Sequence, residues 1–192
     1  MIECEGEPLD NVLSFKYLGN IFTAFANQIH DVKARVTQAM IRFGKLRNIL
    51  DAKDIDVTLK LRLYEASICS ILTFGYETWN LDRKTIKILK GANSKMLSRF
   101  TGKSIPQEAR AITTSFNLIR RVRQRRLRWV GHLLRAGPSR ITYHALVTQR
   151  QLNHEGNLLS DVPPHSFMQA LTEMAMDRAA WTEHVNALPH FY

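Results

Sequence analysis

The chain has 192 residues, of which 45% are hydrophobic and 23% charged, so it is long enough and apolar enough to bury a real core. It contains no apolar run of about 18 residues free of charge, which excludes a membrane-spanning helix, and its acidic start lacks the pattern of a signal peptide. Its two cysteines, Cys4 and Cys69, exclude a disulfide framework and predict an intracellular protein.

The net charge of +10 is distributed unevenly along the chain. Residues 1–31 and 151–192 each carry a net charge of −4, so residues 32–150 hold 25 basic and 7 acidic residues, a net of +18. Such an excess attracts polyanions. Nucleic acid is the partner that this charge favours, while a solvated basic surface, an anionic membrane and an acidic protein are the alternatives.

The first 25 residues are predicted to be extended. A short strand over residues 2–4 and a turn over residues 5–9 precede a second strand or hairpin over residues 12–23, which is broken near Gly19 and Asn20. Aromatic and β-branched residues are mixed there, as in a half-buried strand or hairpin.

Residues 30–50 are predicted to form a helix, because apolar residues recur at spacings of three and four. The resulting stripe consists of Val32, Val36, Ala39, Met40, Phe43, Leu46 and Leu50. The basic residues, which are Lys33, Arg35, Arg42, Lys45 and Arg47, lie largely off it. One apolar and one basic face suit a helix that lies along a phosphate backbone, and equally any soluble helix.

Further helices are predicted downstream. One is capped by Asp56 or Thr58, faces Leu59 inward and ends at Gly75; another runs from about Asp82 to about Gly102. Residues 101–114 are predicted to be a loop, 142–150 a short helix and 153–164 a linker. A last helix is predicted to be capped by Ser166, with an apolar face of Phe167, Leu171, Met174, Trp181 and Val185.

The densest signal is the run RRVRQRRLRWVGHLLR, in a stretch that Ser115 opens and that extends from Phe116 to Arg135. It places six arginines within nine residues, namely Arg120, Arg121, Arg123, Arg125, Arg126 and Arg128. At about 100° per residue they cannot share one helix face, so their guanidinium groups are expected to fan out on either side of an apolar seam that contains Trp129. Like charges at this density favour phosphate binding. A surface helix with partner acids elsewhere, and a nuclear-import signal, are the alternatives.

No catalytic constellation is apparent. Asp51, Asp54 and Asp56 form a carboxylate cluster in the basic region, but they lie just before a helix, where capping is the favoured role over metal binding. The seven histidines are scattered, and two distant cysteines cannot form a cysteine-rich zinc site. We therefore expect neither a metal nor a cofactor, and no polymerase or nuclease activity.

An ordered series of segments resembles LINE-type reverse transcriptases of non-long-terminal-repeat retrotransposons, particularly the RTE-like group. The segments are FKYLGNIFT, RFGKLRNIL, LKLRLYEASICSILTFGYETW, GANSKMLSRFTGKSIPQEAR and RQRRLRWVGHLLRAGPSR, followed by DRAAWTEHV. The resemblance covers residues 1–150 continuously. FKYLG alone is weakly specific, whereas the whole ordered series is specific.

The resemblance implies a place for each segment. Phe15, Tyr17, Leu18 and Gly19 would lie at or near the primer grip, the hairpin that follows the catalytic Asp-Asp motif. The next helices would form the thumb, which clamps the template–primer duplex, and the arginine run would belong to the post-thumb region that holds template RNA or target DNA. The palm with its catalytic aspartates, and an upstream endonuclease, are not found in this sequence.

We therefore predict a mainly α protein. A short N-terminal β-hairpin (1–29) resembles the primer grip, a basic helical bundle (30–150) resembles the thumb and post-thumb region, and a linker and small C-terminal helical segment follow (151–192). Without a palm to cover it, the hairpin is expected to expose an apolar patch of Phe15, Tyr17, Ile21 and Phe22 and to promote self-association.

The predicted function is non-catalytic binding of RNA, DNA or an RNA–DNA hybrid by a fragment derived from an RNA-directed DNA polymerase, inside the cell and including the nucleus. The predicted contact residues are Arg120, Arg121, Arg123, Arg125, Arg126, Arg128, Lys33, Arg42, Lys45 and Arg47. One alternative is a domesticated interaction protein that binds an acidic partner. Another is a thumb supplied in trans to a separately encoded palm domain.

Overall fold

The computed structural model describes residues 3–5, 7–24, 27–101, 117–151 and 168–188. Two small antiparallel β-ribbons come first, formed by β1 (Glu3–Cys4) with β2 (Glu7–Pro8) and by β3 (Ser14–Tyr17) with β4 (Asn20–Thr23). Helices make up most of the remaining described residues, so the predicted mainly α fold with a short N-terminal hairpin is confirmed.

The β3–β4 hairpin turns through Leu18 and Gly19, which have φ values of +47° and +89°. Two consecutive positive φ values are typical of the two-residue turn that matches the twist of paired strands. The register places Phe15 opposite Phe22 and Tyr17 opposite Asn20. The predicted break near Gly19 and Asn20 is therefore the hairpin turn itself.

The helices of the first half are α1 (Ile29–Lys45), α2 (Arg47–Asp51), α3 (Val57–Tyr64) and α4 (Ser70–Leu72). A π-helical segment, Glu65–Cys69, joins α3 to α4, and a 3-10 turn, Tyr76–Thr78, leads to α5 (Arg83–Thr101). The prediction of a single helix over residues 30–50 was wrong in one respect, because the helix is interrupted at Leu46, between α1 and α2.

Local caps set several helix ends as predicted. The Asp56 carboxylate accepts from the backbone N–H groups of Thr58 and Leu59 at 2.8 and 3.2 Å. A hydrogen bond from the Thr58 side chain lowers the pKa of Asp56 most, and these two backbone bonds lower it further. Helix α4 ends at Leu72 with Thr73 as its C-cap, so the end predicted at Gly75 comes three residues early; Gly75, with φ +77°, instead precedes the 3-10 turn. The Asp82 carboxylate accepts from the N–H of Thr85. Leu59 was predicted to face inward but is exposed.

The helices of the second half are α6 (Leu118–Ala136), α7 (Ile141–Gln151), α8 (Met168–Met176) and α9 (Arg178–Asn186). The C-terminal helix was predicted as one piece, but Asp177 separates two helices because its carboxylate caps α9 at the N–H groups of Ala179 and Ala180. The predictions for residues 102–114, 153–164, Ser166 and Phe167 lie outside the described residues.

The described residues form two hydrophobic clusters that meet along α6. The first packs α1 through α5 around Phe43, Tyr64 and Trp79 and includes the start of α6, at Leu118 and Ile119. The second packs the rest of α6 against α7, α8 and α9, with Leu127, Val130, Leu133, Leu134, Leu146, Leu171, Ala175, Trp181 and Val185. Helix α6 therefore belongs to both cores. No helix in the described ranges has the length and apolar character needed to cross a bilayer.

Candidate nucleic-acid interface

Helix α6 carries the arginine run. The Asn117 side chain accepts from the N–H of Arg120 at 3.1 Å, which makes Asn117 the N-cap, and Gly137, with φ +77°, follows the last helical residue. Ser115 and Phe116, predicted at this start, lie outside the described residues. The helix holds seven arginines and no acidic residue. Its charge must therefore be balanced by groups on other elements or by a ligand.

Two arginines of α6 bind the ends of neighbouring helices. Arg120 donates to the carbonyls of Asn186 and Leu188, at 2.8 and 3.1 Å, where α9 ends. Arg135 donates to the carbonyl of Ala175 at 2.9 Å, near the end of α8. The last carbonyls of a helix lack partners within it and carry its negative partial charge. These two arginines therefore help to fix the C-terminal helices on α6.

A third arginine lies within the apolar seam. Arg126 is 0% exposed and sits one helical turn from Val122 and one from Val130, both of which are buried. Arg123 is half-buried. The prediction that every guanidinium group lies beside the seam is wrong for Arg126, because the neighbouring helices cover α6 on more than one side.

Arg120 also lines a polar cleft of about 330 Å³ at the start of α6, together with Arg121, Arg125 and Arg128. We call it the arginine cleft; it is lined by Glu65, Asn117, Arg120, Arg121, Gln124, Arg125 and Arg128. Arg121 forms an ion pair with Glu65, whose carboxylate comes from the π-helical segment. Arg125 donates to Thr73 Oγ1 at 2.8 Å, and both Arg125 and Arg128 are exposed. Four arginines thus line a cleft that contains one carboxylate, and one of them, Arg120, also binds the carbonyls at the end of α9.

The electrostatics of the arginine cleft favour an anion. Partial burial lowers the pKa of Arg121, and the positive charge of Arg125 lowers it further. Burial raises the pKa of Tyr76, which does not line the cleft, while the positive charges of Arg125, Arg128 and Arg126 lower it. The like charges therefore lie close enough to influence one another. A phosphate bound between them would relieve that repulsion.

Trp129 contradicts a prediction made from the sequence. It was expected in the core, but it is 40% exposed and stacks on the exposed ring of His132, with centroids 5.3 Å apart and an angle of 27° between the rings. The seam passes instead through Val130, Leu133 and Leu134. The indole therefore shares the outer face of α6 with Arg125 and Arg128.

The basic residues of α1 and α2 have different environments. Lys33, Arg42 and Lys45 are exposed, as predicted, but none of them lines the arginine cleft. Arg47 forms an exposed ion pair with Asp51, in which Nε and Oδ2 are 3.0 Å apart. Arg35, which was predicted to lie off the apolar stripe, is buried. Arg35 therefore adds no charge to the surface.

A buried polar network around Arg35 holds the β3–β4 hairpin on the helices. Arg35 donates to the carbonyl of Gly19 and to Asn20 Oδ1, and its guanidinium lies 4.3 Å above the ring of Phe74. Its ion-pair partner is Asp31, with Nε and Oδ1 3.7 Å apart. The tip of the hairpin is therefore fixed by α1.

Asp31 completes this network from the first turn of α1. It is 2% exposed and accepts from the backbone N–H of Ile21 at 3.1 Å and from the indole N–H of Trp79 at 2.8 Å. Gly75 completes the fit, because a Cβ there would overlap the Asn20 side chain. The roles of Asp31, Arg35 and Trp79 in this network were not predicted from the sequence. The one sequence feature that pointed to this network was an acid, Asp31, in the first turn of α1, and such an acid is typical of ordinary helix starts.

Three of the four residues that were predicted to lie at a primer grip are exposed on this hairpin, whereas the fourth, Gly19, is bound by Arg35. Phe15, Tyr17 and Leu18 are 58%, 55% and 78% exposed, and Phe22 is 47% exposed. Ile21 is half-buried. The predicted apolar patch is therefore confirmed, except at Ile21, whereas self-association stays a prediction. No group of three His, Cys, Asp or Glu within the described ranges is arranged to hold a metal ion.

Comparisons with known proteins give one similarity. No family model matches the chain, and no solved structure matches it significantly. The chain is 23% identical over 143 residues to a transposon-derived protein of Caenorhabditis elegans, which covers 70% of this chain and 51% of that protein. The chain thus spans about half the length of the curated relative that it matches. The similarity supports a transposon origin for this protein.

Proposed function

We propose that this protein is a non-catalytic, transposon-derived nucleic-acid-binding protein that holds a phosphate backbone in the arginine cleft. The observation that carries the proposal is the convergence of four arginines, at positions 120, 121, 125 and 128, on one cleft with a single carboxylate. Guanidinium groups make paired hydrogen bonds to phosphate oxygens, and such contacts are largely independent of base sequence.

The finer identity, a fragment of a LINE-type reverse transcriptase, is part of the same proposal. The order of the resembling segments and the similarity to a transposon-derived protein support it. In this proposal the ligand is RNA, DNA or their hybrid, as expected for a region that follows a polymerase thumb. A palm domain supplied in trans is the protein partner that fits this scheme.

The test is the salt dependence of binding after charge removal. We expect the triple variant R121Q/R125Q/R128Q to lose about two to three units of slope in a plot of log affinity against log salt for duplex DNA, since each lost phosphate contact removes about 0.9. The loss is expected to be equal for unrelated sequences. Circular dichroism checks that α6 stays folded, because the loss of the Arg125–Thr73 hydrogen bond costs only about 1 kcal/mol.

A matched triple variant removes the same charge elsewhere. K33Q/R42Q/K45Q changes three exposed residues of α1 that do not line the cleft. Relative to the wild type, we expect this variant to lose at most one third of the slope that the cleft variant loses. If the α1 variant loses the slope and the cleft variant does not, the basic face of α1 is the binding surface. Equal affinity of the wild type for polyglutamate and for DNA, at equal salt, would favour an acidic protein partner instead.

A further inference from the structure

Trp129 differs from the other two tryptophans of the chain. Trp79 and Trp181 are 2% and 3% exposed, and their indole N–H groups donate to Asp31 Oδ2 and to the carbonyl of Leu127. Trp129 is 40% exposed on the outer face of α6. A single exposed apolar side chain is ordinary. A ligand for this ring is therefore indicated only by the groups that surround it.

The surroundings of Trp129 are aromatic and cationic. His132 is exposed and stacked on the indole, so the two rings together present an aromatic surface to solvent. At about 100° per residue, Trp129 lies about 40° from Arg125 around the axis of α6, and Arg128 lies about 60° away on the other side of Arg125. The rings and the two exposed guanidinium groups thus share one face of the helix.

We propose that Trp129 and His132 form a stacking platform for an unpaired nucleobase, next to the arginine cleft that holds the adjoining phosphates. An aromatic ring within reach of phosphate-binding arginines is the combination by which proteins hold single-stranded nucleic acid. A base inside a duplex is stacked between its neighbours and cannot cover the indole. The preferred ligand is therefore a single strand, or a duplex that ends in one.

This inference rests on the proposed function, since it assigns the kind of nucleic acid that the same surface takes. It predicts a difference between single strands and duplexes, which phosphate contacts alone do not produce. We expect W129A to weaken binding of a short oligothymidylate about 5- to 150-fold, the range associated with one stacked base. Affinity for a blunt duplex is expected to change less than about twofold, and the salt slope is expected to stay the same because no phosphate contact is lost.

Three measurements keep a stacking role separate from a structural one. W129F retains a ring and is expected to recover most of the single-strand affinity. Oligothymidylate is expected to quench tryptophan fluorescence in the wild type, and this quenching is expected to disappear in W129F. The matched control is I141A, which removes a more exposed apolar side chain, 84% exposed, at the start of α7.

Each outcome decides one question. Unchanged oligothymidylate affinity and unchanged quenching in the Trp129 variants would overturn the platform while leaving phosphate binding intact. Equal losses for single strand and duplex would also overturn it, because they would indicate damage to α6. Competition by thymidine monophosphate as effective, per base, as the oligomer would reassign the platform to free nucleotides. If the wild type binds no nucleic acid, the proposed function fails, and the platform with it.

Discussion

Two pairs of stacked, exposed rings lie in different regions of this protein. Phe15 and Tyr17 stack on strand β3 with centroids 6.4 Å apart, and Trp129 and His132 stack on α6 with centroids 5.3 Å apart. The first pair lies in a segment where Lys16 is the lone basic residue among residues 1–31, whereas the second lies on a helix with seven arginines. We therefore expect these similar aromatic surfaces to bind different ligands, because the surrounding charge attracts or repels a charged ligand.

The two regions also differ in how they are held. The hairpin is fixed by buried polar groups, chiefly Asp31, Arg35 and the indole N–H of Trp79. Helix α6 is fixed by apolar residues of two cores and by arginines that bind the ends of α8 and α9. Buried charge stabilises only while every partner is present, whereas apolar packing depends on shape and volume. The variants below test this difference.

The largest effect is expected from D31A in the polar network. The substitution leaves the Arg35 guanidinium, in a residue that is 6% exposed, without its carboxylate, and removes the acceptor of the Trp79 indole and of the Ile21 N–H. Removing one partner of a buried ion pair costs about 3–5 kcal/mol. We expect a loss of this size in the free energy of unfolding, measured by urea titration, and earlier hydrogen exchange in residues 14–23.

The matched control for this prediction is D51A. Asp51 also pairs with an arginine four residues away, but the Arg47 and Asp51 side chains are 71% and 45% exposed. An exposed pair contributes about 0–1 kcal/mol, so D51A is expected to cost no more than that. A similar small loss in D31A would show that the hairpin is held by something other than this network.

An intermediate effect is expected from G131A, in the apolar packing of α6. A Cβ at this position would overlap the indole of Trp181, whose N–H donates to the Leu127 carbonyl at 3.0 Å. Overpacking a buried site costs about 1–3 kcal/mol, although alanine is otherwise the better helix former. We expect a lower thermal midpoint and a red-shifted tryptophan fluorescence.

The control for G131A has the opposite expected sign. Gly44 lies in α1 with nothing within 4 Å of its Cβ position, so G44A is expected to stabilise the fold by about 0.5–1 kcal/mol. If G131A also raised the thermal midpoint, Trp181 and α9 would have to move to make room for the added methyl group. The close approach of α6 and α9 would then not be a fixed feature of the fold.

The smallest effect on stability is expected at the hairpin rings. Because Phe15 and Tyr17 are more than half exposed, F15S/Y17S is expected to change the free energy of unfolding by less than about 0.5 kcal/mol. Sedimentation velocity is expected to show less self-association than in the wild type, with an unchanged salt slope for DNA. A loss of nucleic-acid affinity here equal to that of W129A would mean that surrounding charge does not distinguish the two pairs.

The helix ends show which structural features could be predicted from the local sequence. Asp56 and Asp82 were predicted as caps and act as such, because the unsatisfied backbone N–H groups at a helix start need partners within a few residues. Asn117 and Asp177 have the same local chemistry and were overlooked. Composition and periodicity likewise predicted the apolar hairpin tip, the mainly α fold and the basic middle region.

What the sequence by itself determined is the density of arginine on α6, since no fold can remove those charges. Which arginines remain available was decided only by tertiary structure. Arg126 is covered, Arg120 binds the end of α9, and Arg125 and Arg128 stay exposed beside Trp129. The physical reason is that helix periodicity fixes the angles between side chains, while the number and placement of packed neighbours fix which of those angles face solvent.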